Sequence, residues 1–149
     1  MRLLILALLL MSISACEEPF EASFSPANQC WTISDTLTMV DYMDNAGQCA
    51  PQISVVFLQE YAYTNLQMKL LYQGPDDISG EYDFQSSLIT PTGDWLLESN
   101  GGRYPLLLQI KDPLELPQPG RYTFSLIHNM REDVICNIAS IGMRIPKTE

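Results

Sequence analysis

His128 is the single histidine of the chain, and it would have to serve as the base in any mechanism that relies on an imidazole. No serine or cysteine motif accompanies it to mark a nucleophile that it could activate. On an alternating strand it shares a face with Phe124 and Leu126, which suits a partly buried histidine at a strand end better than a catalytic base. Zinc is equally poorly served, because neither His128 nor the cysteines show the paired short spacings of zinc sites. Asp76 and Asp77, and Glu132 and Asp133, are adjacent carboxylates in loop-like sequence and read as solvated turns. Asp41, Asp44 and Asn45 offer oxygen atoms to a cation, but calcium takes six to eight ligands and their spacing fits no calcium loop. Gly101 and Gly102 do not follow a strand and open a helix, as a phosphate-binding loop requires, and a hairpin turn accounts for them. The residues therefore predict no catalytic constellation, no metal site, no cofactor and no small-molecule substrate: not an enzyme.

Binding chemistry is better represented. Tyr61 and Tyr63 in "YAY" point to one face if extended, which is how a carbohydrate-binding sandwich presents a stacking platform. Aromatic packing at a sheet edge explains the same spacing. Arg131, among the acids of "HNMRED", fits either a loop-anchoring salt bridge or a contact with a partner.

The elements that must position these residues are strands. Short alternating runs separated by Gly, Pro, Asn and Asp fill the chain after its first residues, and none keeps an apolar period of 3.6. "FEASF" puts Phe20, Ala22 and Phe24 on one face. Thr36 to Met43, Gln52 to Gln59, Leu66 to Gln73, "EYDFQSSLI" and "RYPLLLQI" follow, the last with Pro105 near its start, where a missing donor is tolerated. "GDWLLESNGG" joins those two as a turn-flanked connector. Pro117, Pro119 and Gly120 form a rigid turn, after which Tyr122, Phe124 and Leu126 alternate with Thr123, Ser125 and Ile127. "IASIGMRI" closes the series. Eight to ten such strands bury their apolar faces as two packed sheets, so the predicted fold class is all-β: an antiparallel β-sandwich, with the jelly roll as its candidate type.

The start of the chain has a different character. Met1 and Arg2 precede an apolar run from Leu3 to Met11 that would span about 14 Å as a helix, against roughly 30 Å for a hydrocarbon core. That is a secretory signal and not a membrane span. "ISAC", Ile13 to Cys16, resembles the lipobox of bacterial lipoproteins, in which the cysteine thiol receives diacylglyceryl, the chain is cut before it, and the new amino terminus is acylated. The expected organisation is a lipoprotein signal peptide at 1–15, a lipidated Cys16 with a short tether at 16–19, and one sandwich domain at 20–146. Two or more acyl chains hold a protein stably on a membrane. Glu17 to Pro19 reach roughly 10 Å when extended, so the domain would rest close to the headgroups.

Taking Cys16 for the anchor leaves three cysteines, hence at most one intramolecular bridge and one thiol left over. The loop-like surroundings of Cys30 and Cys49 select them as the pair. Cys136, among Val134, Ile135 and Ile138, is then expected to be the buried thiol.

Charge narrows the partners. The chain carries 8 Lys and Arg against 18 Asp and Glu, a formal net charge of −10, and cleavage at the lipobox also removes Arg2. Nucleic acid, whose phosphates require clustered Lys and Arg, is excluded. A partner steered by charge should present a basic face.

The order "EYAYTNL", "GDWLL", "PQPGRYTFSLIHNMRED" and "IGMRI", preceded by a lipobox and by "FEASFSPANQCW", resembles the GldH family of gliding-motility lipoproteins from Bacteroidota. The resemblance covers nearly all of the chain after Cys16. It implies a non-enzymatic, lipid-anchored envelope component, needed for the gliding machinery and its linked protein secretion, that acts by contact with other lipoproteins of that apparatus. It implies no catalytic residues. Asn65, Trp95, Tyr122, Met130 and Arg131 are the family-like positions, with packing and partner binding both open to each. His128 and the cysteines at 30, 49 and 136 depart from the family pattern, so no redox or metal role follows from it. The expected location is the cell envelope, at the outer membrane. Glu17 and Glu18 partly match surface-export signals of this bacterial group, which leaves the periplasmic and the surface-facing side both open. The rival reading is a surface lipoprotein whose sandwich binds carbohydrate or another ligand, with "YAY" as its platform.

Overall fold

A computed structural model describes residues 21–146 of the chain. Cys16 and the lipobox lie outside the described residues, as does Phe20. Twelve strands follow one another: β1 (Glu21–Phe24), β2 (Cys30–Thr32), β3 (Leu37–Met43), β4 (Gly47–Cys49), β5 (Gln52–Leu58), β6 (Asn65–Gln73), β7 (Ser79–Ser87), β8 (Arg103–Gln109), β9 (Leu114–Leu116), β10 (Gly120–His128), β11 (Val134–Cys136) and β12 (Ile138–Arg144). A single 3-10 turn at Ala27–Gln29 separates β1 from β2.

Eight of these strands form two antiparallel sheets, ordered β1-β12-β5-β8 and β3-β10-β6-β7, and the four short ones form two ribbons, β2 with β11 and β4 with β9. Counting only the eight strands of the sheets in chain order, the sheets read 1-8-3-6 and 2-7-4-5. That is the jelly-roll arrangement.

Alternation makes the core. Tyr122, Phe124, Leu126 and His128 of β10 point inward with Leu66, Met68 and Leu70 of β6, and they meet Ile53, Val55 and Phe57 of β5 from the facing sheet. Fully burying one such aliphatic or aromatic side chain contributes about 1.5–3 kcal/mol. A slip of one residue in any of these strands would turn its whole set to water, so the register is strongly specified.

The sandwich has two distinct ends. The chain enters at Glu21, which pairs with Arg144 at the end of β12, and Gln52 lies beside Arg144. Met43 pairs with Gly120 in the other sheet, and Tyr42 to Cys49 line one cleft together with Leu116, Ile145 and Pro146. These groups define the proximal end. At the distal end Phe24 lies 6.2 Å from Trp31 between ring centroids, and Trp31 lies 5.3 Å from His128, the last residue of β10.

The cysteine pairing differs from the one the sequence suggests. Cys30 is bonded to Cys136, not to Cys49. The two stand opposite each other in the β2/β11 ribbon, where Trp31 and Ile135 turn inward and leave both cysteines on the outer face. Strand alternation thus overrides the apolar neighbours of Cys136. Cys49, the expected partner, is opposite Leu114 in the β4/β9 ribbon and is the buried free thiol. Burial, reinforced by the Asp41 carboxylate, pushes that thiol up to about 12.

Candidate functional site

Four of the five family-like positions gather at the distal end. Asn65 opens β6 opposite Ser87, the last residue of β7. Met130 and Arg131 follow His128 directly. Trp95 lies on the connector between the distal ends of β7 and β8, where it bridges to Ile89. Tyr122 alone lies toward the other end, two residues into β10.

Their surroundings separate packing from presentation. Tyr122 is fully buried and its hydroxyl donates to the Gln118 carbonyl at 2.8 Å, pinning the turn that starts β10. Its ring lies over Gly74, where an added Cβ would overlap it. The half-buried Met130 accepts the Gln67 N–H on its sulfur at 3.2 Å, and the neighbouring Asn129 N–H donates to the Gln67 carbonyl at 2.8 Å. These bonds stitch the loop after β10 to β6. Asn65 receives the Tyr61 hydroxyl on its carbonyl at 3.0 Å. Trp95 and Arg131 face solvent, Trp95 with 43% of its surface accessible.

The "YAY" pair does not form a coplanar platform. Tyr61 is only 5% exposed, packs 4.5 Å from the Phe57 ring, and meets Tyr63 edge-on at 5.4 Å and 64°. Burial, with Tyr63 adding to it, raises the Tyr61 phenol above its ordinary range. His128 is likewise a core residue, fully buried against Trp31. Its Nδ1 accepts the Met130 N–H at 3.4 Å, and Nε2 has no hydrogen-bond partner among the described residues.

The proximal end carries a cleft of about 170 Å3, lined in part by Asp44, Asn45, Gln48 and Cys49. Asp41 accepts the Tyr42 N–H at 2.8 Å on one carboxylate oxygen, and the other oxygen has no partner among the described residues. Asp44 and Asn45 line the cleft and Asp41 does not; among the described residues no three His, Cys, Asp or Glu side chains form a metal-binding group.

Sequence reasoning missed part of the distal surface. Leu96, next to Trp95 in the chain, is 53% exposed, and Ile33 and Val134 stand exposed around the disulfide-linked ribbon. Only "DWLL" held a signal, an aromatic and two leucines inside a turn-rich connector. Ile33 and Val134 belong to or flank strands of three residues, too short for an alternation to reveal which side faces water.

No curated protein matches the sequence. Among solved structures the chain shares 13% identity with the CBM35 from Cellvibrio japonicus Abf62, covering 83% of this chain and 75% of that one at a TM-score of 0.32. It shares 12% identity with a chain from the structure of infectious bursal disease virus Gt strain, covering 87% of this chain and 32% of that one at a TM-score of 0.35. Neither likeness bears on function. The family pattern described as GldH lipoprotein, in contrast, matches residues 20–145, almost the whole described sandwich, and the chain belongs to the GldH lipoprotein family.

Proposed function

We propose that this protein is a non-enzymatic component, or assembly and stability factor, of the gliding machinery and its linked secretion system, anchored to the outer membrane through lipids on Cys16. It works by protein contact, with other lipoproteins of that apparatus as partners. The observation that carries this reading is the segregation within the family-like set. Tyr122 is consumed by packing, whereas Trp95 and Arg131 are left in solvent at the end opposite the one where the chain enters. An anchor that holds the proximal end near the headgroups turns that distal surface away from the membrane, where a partner can reach it. The one histidine of this end, His128, is buried in the core and is not part of the exposed surface.

Deletion of the gene is expected to stop the surface spreading of cells and to lower the amount of a partner motility lipoprotein. Normal gliding in a clean deletion refutes the proposal. Cys16→Ala should leave unlipidated protein missing from the membrane fraction, and unchanged detergent partitioning would refute the anchor.

A further inference from the structure

Each sheet ends in two edge strands, β1 and β8 in one and β3 and β7 in the other. β1 packs against β3, which leaves β8 and β7 together on the far side, and these two edges are built differently. Hydrogen bonds at the strand ends fix which backbone groups point outward, because bonded and non-bonded pairs alternate along an antiparallel ladder. Ile110 N–H donates to the Pro51 carbonyl, in phase with the β5/β8 register, so Arg103, Pro105, Leu107 and Gln109 direct their backbone groups away from β5. Pro105 therefore interrupts the outward row of donors, and that edge is guarded.

β7 has no such guard. Gly74 N–H donates to the Ile78 carbonyl at 2.7 Å and Leu88 N–H to the Thr64 carbonyl at 2.8 Å, both in phase with the β6/β7 register. Gly80, Tyr82, Phe84 and Ser86 thus exchange bonds with β6, and Ser79, Glu81, Asp83, Gln85 and Ser87 aim their N–H and C=O groups outward. Those N–H groups have no backbone partner among the described residues. The strand is nine residues long, without proline, lysine or bulge. Charged side chains also discourage edge pairing, and those of β7 are the acids Glu81 and Asp83, which oppose a like-charged strand and admit a basic one; an open ladder otherwise templates pairing with another chain.

Chemistry beside the edge says what would pair. On the outer face Glu81 and Asp83 are exposed, with Lys69 bridging them from β6 at 3.2 and 3.7 Å, and Asp76 and Asp77 lie in the preceding turn. On the inner face Tyr82, and Leu106 and Leu108 of β8, pack against the core yet stay half-buried where the seam between the sheets opens. A second copy of β7 would bring acid beside acid, which is destabilising across a strand pair. The chain's own amino-terminal approach arrives on β1, at the opposite edge.

We infer that the β7 edge accepts an added β-strand from a partner protein, an extended segment with Lys or Arg on one face and apolar residues on the other. Its backbone completes the ladder from Ser79 to Ser87, its basic face meets Glu81 and Asp83, and its apolar face closes the seam over Tyr82, Leu106 and Leu108. This is strand addition, in which main-chain bonds give affinity and alternate side chains give specificity. It rests on the proposal that the protein works by protein contact, and it adds to the distal surface a second contact, along the side of the sandwich.

The test uses the intact lipoprotein in nanodiscs and two synthetic nine-residue probes, one alternating Lys with Val and one alternating Glu with Val. Amide exchange is followed by NMR. The basic probe is expected to slow exchange at Glu81, Asp83 and Gln85 by about ten-fold or more, and the acidic probe to leave it unchanged. Asp83→Pro removes an outward donor without touching the β6 ladder and should abolish the protection. Glu81→Lys with Asp83→Lys, which keeps every backbone donor, should abolish it as well. No protection, equal protection by the acidic probe, or protection that survives both variants overturns the inference. The two proposals fail separately: normal gliding in the gene deletion sinks the function, and an unprotected edge in a protein whose deletion stops gliding sinks only the strand addition.

Discussion

The imidazole of His128 lies edge-on to the indole of Trp31, with ring centroids 5.3 Å apart and both side chains fully buried. Burial disfavours the imidazolium and lowers the His128 pKa below the ordinary 6.5, while the nearby carbonyls of Asp133 and Trp31 and the carboxylates of Asp133 and Asp35 oppose the shift in part. The unfolded chain takes up this proton near pH 6.5 and the folded protein only at lower pH. The contribution to stability is therefore complete above about pH 6.5 and is lost as pH falls from there through the folded value. Denaturant unfolding of the native protein should show a loss of stability between pH 7 and 5.5. In His128→Phe, which keeps an aromatic ring against Trp31, the loss should be smaller. Equal slopes in the two proteins would contradict this account.

Cys30 and Cys136 close a loop across 106 positions of sequence. A cross-link of that span stabilises mainly by constraining the unfolded chain, and removing a native one costs about 2–5 kcal/mol. Cys30→Ala with Cys136→Ala should fall in that range by denaturant titration. Cys49, with its thiol pushed up to about 12 inside the core, should resist a maleimide at pH 8 until the protein is unfolded. A peptide map under non-reducing conditions that joins Cys49 to either of the other two would refute the pairing.

The cysteines also show where sequence reading stops. The long strands β3, β5, β6, β7, β8, β10 and β12 were legible because seven or more residues give an alternation time to declare itself, and their number already implied two packed sheets. The ribbons β2/β11 and β4/β9 were not legible, since each strand is three residues long and exists because tertiary neighbours align it. Whether Cys136 turns inward depends on the register of such a ribbon, so the bridge could not be read from local composition. The distal gathering of Asn65, Trp95, Met130 and Arg131 was hidden for a related reason. It arises from the order in which strands cross between sheets, and short motifs far apart in sequence carry no record of that order.

Gly74 and Tyr122 are predicted to be energetically coupled. The Tyr122 ring occupies the space of a side chain at Gly74, so Gly74→Ala forces a shift in a filled core, at a cost of typically 1–3 kcal/mol. In a Tyr122→Leu background the same substitution should cost clearly less, giving a coupling of about 0.5–3 kcal/mol. Tyr122→Phe keeps the ring and loses only the bond to the Gln118 carbonyl, for about 1 kcal/mol. Additive penalties for Gly74→Ala and Tyr122→Leu would disprove the coupling.

Trp95 and Arg131 should part from Tyr122 in what their loss affects. Trp95 touches Tyr104 at 6.1 Å between ring centroids but keeps 43% of its surface in solvent, and Arg131 is exposed with no salt bridge among the described residues. Substituting an exposed arginine usually changes stability by no more than about 0.5 kcal/mol, whereas Trp95, with more than half of its surface covered, should cost on the order of 1–2 kcal/mol as Trp95→Ser. If the distal end is the contact surface, Trp95→Ser and Arg131→Glu should leave the protein folded and its level in cells close to native while reducing spreading and the amount of the partner lipoprotein. Exposed aromatic and arginine side chains are the types that dominate interface energetics, often by 2 kcal/mol or more each. Native spreading in the double variant, with the protein folded and anchored, would move the contact away from this end.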